Sequence, residues 1–190
     1  MTQLPDNSFL YLKEPNWFSN RPGLHHRIPA TAKSWIYEPD SLTRRLRSYY
    51  GDALTVKVLY QQWGKPFLSE RTLLDLAHNQ YSLLREVLLY VDQTPLILAR
   101  TVMPAYTLKG AQRILSRLGN RPLGEVIFSY PKLQRLEMNI TLVEPQTWSL
   151  SVIEQVKISQ KIWGRRTVYA IKHRQMLVSE FFLPGALNIA

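Results

Sequence analysis

Two charged residues stand inside strand-like apolar runs, where a dry core has no use for them. In Leu83-Leu84-Arg85-Glu86-Val87-Leu88-Leu89, period-two geometry puts Arg85 on one face with Leu83, Val87 and Leu89. Glu86 then shares the opposite face with Leu84 and Leu88. In Leu177-Val178-Ser179-Glu180-Phe181-Phe182-Leu183, Glu180 falls beside Val178 and Phe182. A charge in such company must be paired or used. Two readings are open. One is structural: a buried Arg–Glu ion pair, or edge-strand charges that reach water. The other is an enclosed pocket in which Arg85 grips a substrate carboxylate by paired hydrogen bonds. Glu180 would there be able to transfer a proton.

Other chemistries find little support. His25, His26, His78 and His173 are scattered, apart from one adjacent pair. They suit loop or surface roles better than a metal site. There is no HExxH, no phosphate-binding Walker loop, no GxGxxG and no nucleophile elbow. The chain has no cysteine, which removes disulfides, thiolate metal sites and thiol nucleophiles. Gly119-Asn120-Arg121-Pro122-Leu123-Gly124 reads as a helix-to-helix turn, or as exposed amides facing an anion. No metal and no cofactor is expected.

Lys and Arg number 24 against 14 Asp and Glu, a formal net charge of +10. That excess fits a solvated basic surface, a nucleic-acid or anionic-membrane partner, or a small substrate with several carboxylates. The basic residues are dispersed, and the longest clusters are Arg44, Arg45 and Arg47, then Arg165 and Arg166. Without a Cys/His finger or a helix-turn-helix pair, nucleic acid is not the expected partner. No apolar run approaches the roughly 20 residues of a membrane span. The start, MTQLPDNSFLYLKEP, lacks a basic stretch followed by an apolar core, so a cytoplasmic protein without a secretory signal is expected.

The elements that must position Arg85 and Glu180 are short. Residues 1–30 read as an irregular lead-in, packed through Trp17, Phe18 and Trp35, and residues 31–190 as one domain. Asp40 is placed to cap a helix over 41–50, which Gly51 ends. A strand over 53–63 follows, broken at Gly64-Lys65-Pro66; residues 67–79 fit a loop or a short helix. Runs 81–91 and 95–103 form a hairpin. Leu108, Ala111, Leu115 and Leu118 have helical spacing over 107–118, and a short helical segment begins near Pro122. In 133–143, Leu136, Met138, Ile140 and Leu142 alternate with polar residues. Residues 152–162 read as strand or loop, Trp163-Gly164-Arg165-Arg166 as a turn or strand junction, and 167–172 with 176–183 as a closing hairpin. Hairpins outnumber crossovers, so the expected class is α+β with a single, mainly antiparallel sheet.

At these residues the chain resembles a known family, the chorismate pyruvate-lyases. The matching stretches are LLREVLLYVDQTPLILARTVMP at 83–104, LGNRPLGEVIF at 118–128, IWGRR at 162–166 and LVSEFFLP at 177–184, in the family's order. Asp40-Ser41-Leu42-Thr43-Arg44-Arg45 adds a weaker match. The resemblance implies an antiparallel sheet with helical flaps over an internal ligand cavity, the flaps falling at 41–50 and 107–128. It implies Arg85 as the substrate-carboxylate arginine, Glu180 as the active-site glutamate and Leu123 as a product contact. Leu42 stands where the family carries a ligand-contacting methionine. The implied reaction turns chorismate into 4-hydroxybenzoate and pyruvate for ubiquinone or plastoquinone synthesis, without metal or cofactor, in a monomer or weak dimer. A related lyase making another hydroxybenzoate isomer, or a non-catalytic aromatic-acid sensor, is the alternative.

Overall fold

The computed structural model describes residues 7–21, 23, 27–109 and 115–189. In chain order the elements are β1 (Phe18–Ser19), α1 (Ala30–Ile36), α2 (Leu42–Tyr50), β2 (Thr55–Gly64), α3 (Leu68–Leu73), β3 (Ser82–Val91) and β4 (Thr94–Pro104). Then come α4 (Leu123–Ile127), β5 (Leu133–Val143), α5 (Leu150–Val156), β6 (Ile162–Ile171), β7 (Arg174–Phe182) and α6 (Pro184–Leu187). The seven strands form one sheet in the order β1-β5-β6-β7-β4-β3-β2, and every neighbouring pair is antiparallel. This is the α+β architecture expected from the hairpin-rich sequence.

Each face of the sheet buries its own apolar layer. On one face α1 and α2 pack Trp35, Ile36, Leu42 and Leu46 against Leu89, Ile97 and Phe182. Farther along that face, Leu108, Leu115, Leu118 and α4 pack against Leu83, Met103 and Val178. On the other face Leu10, Tyr11, Trp148 and α5 cover Leu88, Leu98 and Phe181. Leu74, just after α3, packs there against Leu84, Val102 and Leu177.

Local chemistry explains where the elements depart from expectation. Ser41, not Asp40, caps α2: its Oγ accepts from the Arg44 N–H at 3.3 Å. Residues 150–156 are helical rather than extended. Ser149 Oγ accepts from the Val152 N–H, Val152 and Val156 are buried one turn apart, and left-handed Lys157 ends the helix. Trp163 to Arg166 lie inside β6. Gly164 is there because a Cβ would stand 2.5 Å from the Phe181 ring and 2.9 Å from the Glu180 carbonyl oxygen. The β6–β7 turn is Lys172-His173, both with positive φ, the twist a two-residue hairpin prefers. His173 and His78 are exposed; His25 and His26 lie outside the described residues.

The helix expected over 107–118 does not begin where its spacing suggested. Residues 105–108 form i to i+3 turns, and Thr107 donates its hydroxyl to the Gln175 carbonyl at 2.5 Å. Residues 115–117 make a single 3-10 turn, and 110–114 lie outside the described residues. The apolar stripe is real, since Leu108, Leu115 and Leu118 are all buried. In β5 the alternation breaks at a bulge between Arg135 and Glu137. The extra residue leaves Leu136 half exposed, while Met138 and Ile140 reach the core.

Candidate active site

Arg85 sits mid-strand in β3, 1% exposed, directly across from Thr101 of β4. Its Nη1 donates to Gln61 Oε1 of β2 at 2.7 Å. Its Nη2 donates to the carbonyls of Gly119 at 2.8 Å and Arg121 at 3.4 Å, on the loop that leads into α4. All of these acceptors are neutral. Among the described residues no carboxylate forms an ion pair with Arg85. Burial pulls its pKa below the usual arginine value, with no opposing carboxylate to restore it.

Glu180 lies on the same face, two strands away. Ala99 of β4 pairs with Glu180 on one side and with Val87 on the other, one side-chain step along the face from Arg85. The two charged positions are thus separated by two strand spacings, roughly 10 Å across the sheet. Glu180 Oε2 accepts from Arg165 Nε at 2.8 Å. Arg165 is 1% exposed and stands directly opposite Glu180 in the β6–β7 ladder. Burial lowers the Arg165 pKa, but Glu180, together with Tyr169 and Glu38, more than offsets that and the pKa ends above its usual value.

Between these charges lies a cavity. Val87, Leu89, Ile97, Ala99 and Val178 make its apolar floor, and Arg85 and Glu180 line it together with Thr101 and Tyr169. Its roof is the start of α2, with Ser41, Leu42 and Thr43, and the start of α4, with Pro122, Leu123 and Gly124. The two helix starts touch: a Cβ on Gly124 would stand 2.8 Å from Ser41 Oγ and 3.0 Å from Thr43 Oγ1. Arg47 of α2 and Glu125 of α4 clasp across the roof at 2.5 Å. Arg85, Leu42, Leu123 and Glu180 therefore line one enclosed space. Among the described residues there is no group of three metal-ligating side chains.

The structural reading of the charged pattern belongs to the other face. There Arg100 is fully buried, donating to both oxygens of Glu70 at 2.7 and 2.9 Å and to Glu86 Oε1 at 2.6 Å. Glu86 also accepts from Ser8 Oγ and from the Phe9 and Leu10 N–H groups. Burial would depress the Arg100 pKa, but its two carboxylates carry it above the usual value.

The sequence pattern described as chorismate lyase matches residues 17–188, nearly the whole chain. The chain belongs to the chorismate lyase family. A protein described as a probable chorismate pyruvate-lyase from Methylococcus capsulatus is 43% identical over 157 residues, covering 83% of this chain and 97% of its own. A protein of the same description from Aromatoleum aromaticum is 32% identical, covering 91% and 94%. Among solved structures, the C-terminal domain of PhnF superposes with a TM-score of 0.56 at 13% identity, over 77% of this chain and 89% of its own. A GntR-family transcriptional regulator from Bacillus cereus gives 0.54 at 12% identity, over 70% and 93%. These structures share the fold. Within the chorismate lyase frame, sequence reasoning missed Arg165 as the partner of Glu180 and Gln61 as the partner of Arg85. The signal for Arg165 was IWGRR: once read as strand rather than turn, it puts Arg165 on the cavity side beside Glu180.

Proposed function

We propose that the protein is a chorismate pyruvate-lyase that releases 4-hydroxybenzoate and pyruvate, supplying quinone biosynthesis. One observation carries the reading: a buried guanidinium that pairs with no carboxylate among the described residues faces, across an apolar floor, a carboxylate held by a second arginine. Such a site lacks one anion and is shaped for a flat ring. Arg85 receives the ring carboxylate of chorismate by charge-assisted hydrogen bonds. The opposite side of the ring then lies toward Glu180, a span that suits para substitution.

In the reaction the ring–oxygen bond of the enolpyruvyl ether breaks and its electron pair leaves on that oxygen. The neighbouring ring carbon, which carries the hydroxyl, loses its proton, and the ring becomes aromatic. The enolpyruvate gains a proton at its methylene carbon and becomes pyruvate. Glu180 faces the carbon that loses the proton and orients the hydroxyl on it. The apolar floor and the two helix starts exclude water and hold the ring in one pose. Leu42 and Leu123 press on the ring from the roof. The catalytic body is residues 31–190, with Leu10 and Tyr11 of the lead-in strapped to its far face and Phe18–Ser19 adding the edge strand β1, and the chain acts in the cytoplasm as a monomer or weak dimer.

The test is purified protein with chorismate, with separation of the hydroxybenzoate isomers and measurement of pyruvate. Equal amounts of pyruvate and 4-hydroxybenzoate are expected, at a rate unchanged by exhaustive chelation. A different isomer would reject the product, and no pyruvate would reject the reaction. Product should leave slowly, since the roof must move first. Rapid mixing should therefore show a first turnover faster than the steady rate, and added 4-hydroxybenzoate should inhibit.

A further inference from the structure

Arg165 is absent from the cavity lining, yet it holds one of the two carboxylate oxygens that define one end of it. Its guanidinium is itself fixed. Nη1 donates to the carbonyls of Ile36 at 3.0 Å and Glu38 at 2.9 Å, with Trp35 at 3.5 Å, all at the C-terminal end of α1. Ile36 ends α1, and its carbonyl is one that a helix end leaves without an internal donor, whereas Trp35 O already accepts from the Glu38 N–H. One side chain thus ties α1, β6 and β7 together. Among the described residues, Glu180 Oε2 is taken by Arg165, while no donor is bonded to Oε1. The carboxylate is left with one fixed oxygen and one available to a ligand.

We infer that Arg165 is a positioning residue: by fixing Glu180 Oε2 it aims Oε1 at the para hydroxyl and makes the site selective for hydroxylated rings. The inference rests on the lyase reading for what occupies the cavity. An arginine that served only to dock α1 would matter for stability and leave ligand preference untouched. A carboxylate free to turn toward water or toward the floor would give up its bond to the hydroxyl while the Arg85 end kept its grip on the acid group.

The experiment is calorimetric binding of 4-hydroxybenzoate and benzoate to the full chain, for the parent, Arg165→Met, Glu180→Ala and the double variant. The parent should prefer 4-hydroxybenzoate by about tenfold or more, the scale of one hydrogen bond to a charged group. Arg165→Met and Glu180→Ala should each bring that ratio to within about twofold of one. The double variant should add nothing, because both changes act on one interaction. Arg165→Met should also lower the melting temperature in either background, as the α1 carbonyls lose their donor. Should Arg165→Met not fold, Arg165→Lys keeps the charge but has one short head for two tasks, and it should lose most of the preference. A parent-like ratio in a folded Arg165 variant, or equal weakening of both ligands, would overturn the inference. Chorismate turnover is assayed separately on the parent. Its failure would sink the lyase reading, whereas the binding ratio judges Arg165 alone.

Discussion

Arg85 and Arg100 lie on adjacent strands, both out of reach of water, and the chain treats them in opposite ways. Arg100 has two carboxylates, a main-chain carbonyl and the face of Phe67 around it. Among the described residues Arg85 has a carboxamide and two carbonyls, so its charge is solvated but not neutralised by them. Full neutralisation makes Arg100 a fastener for the lead-in, α3 and the sheet. Partial solvation leaves Arg85 with an unmet demand for an anion. Burial alone does not mark a functional charge; a missing counter-charge does.

Breaking the closed cluster should have the largest effect. Arg100→Met leaves Glu70 and Glu86 buried without a cation and should cost about 3–5 kcal/mol in denaturant unfolding. A loss under about 1 kcal/mol would mean that the two faces do not differ as described. Arg85→Met is the converse. It removes an unneutralised charge and three hydrogen bonds to neutral acceptors, so stability should move by no more than about 1 kcal/mol. Product affinity should fall by about 100-fold or more, as when one member of a buried charge pair is truncated. If stability collapsed and affinity survived, the roles of the two arginines would have to be exchanged.

The roof of the open face offers a smaller effect. The Arg47–Glu125 clasp is about one-third exposed, so Glu125→Gln should barely change the melting temperature. Product dissociation measured by stopped flow should speed up a few-fold, and raising salt should speed the parent more than the variant. The smallest effect belongs to Glu14, near the closed cluster. Burial raises its pKa above 4.5, against the pull of the Ser69 hydrogen bond. From the unfolded value near 4.5 up to that raised value, the folded chain holds the proton more tightly, so stability falls as pH rises through the window. Glu14→Gln should match the parent near pH 4 and exceed it slightly near pH 7 in unfolding experiments at both.

How much of this could be read from the sequence depended on the distance over which the cause acts. Period-two spacing placed Arg85, Glu86 and Glu180 on their faces, because alternation is a property of one strand. Partners were not legible. Arg165 meets Glu180 only through the β6–β7 register, and a tryptophan, a glycine and two arginines in a row look like a break in extended structure. Glu86 meets Arg100 through a hairpin register, and Glu70 arrives from a separate short helix. The helix at 150–156 was hidden because Val152, Ile153 and Val156 favour strands, and its cap at Ser149 is also tied to Phe9, distant in sequence. Leu136 fell on the wrong face because a bulge shifts alternation without leaving a mark in hydrophobicity.

Gly164 has a consequence for any genetic map of this protein. The missing Cβ lets β6 approach Phe181 and the main chain of Glu180, so any larger residue pushes apart the strand pair that brings Arg165 to Glu180. A saturation library scored by growth would report position 164 as intolerant as Arg85 or Glu180. A ranking by fitness alone would then place a residue without a side chain among the chemical groups. Only measuring folded protein beside activity, variant by variant, would separate the position that leaves room from the positions that react.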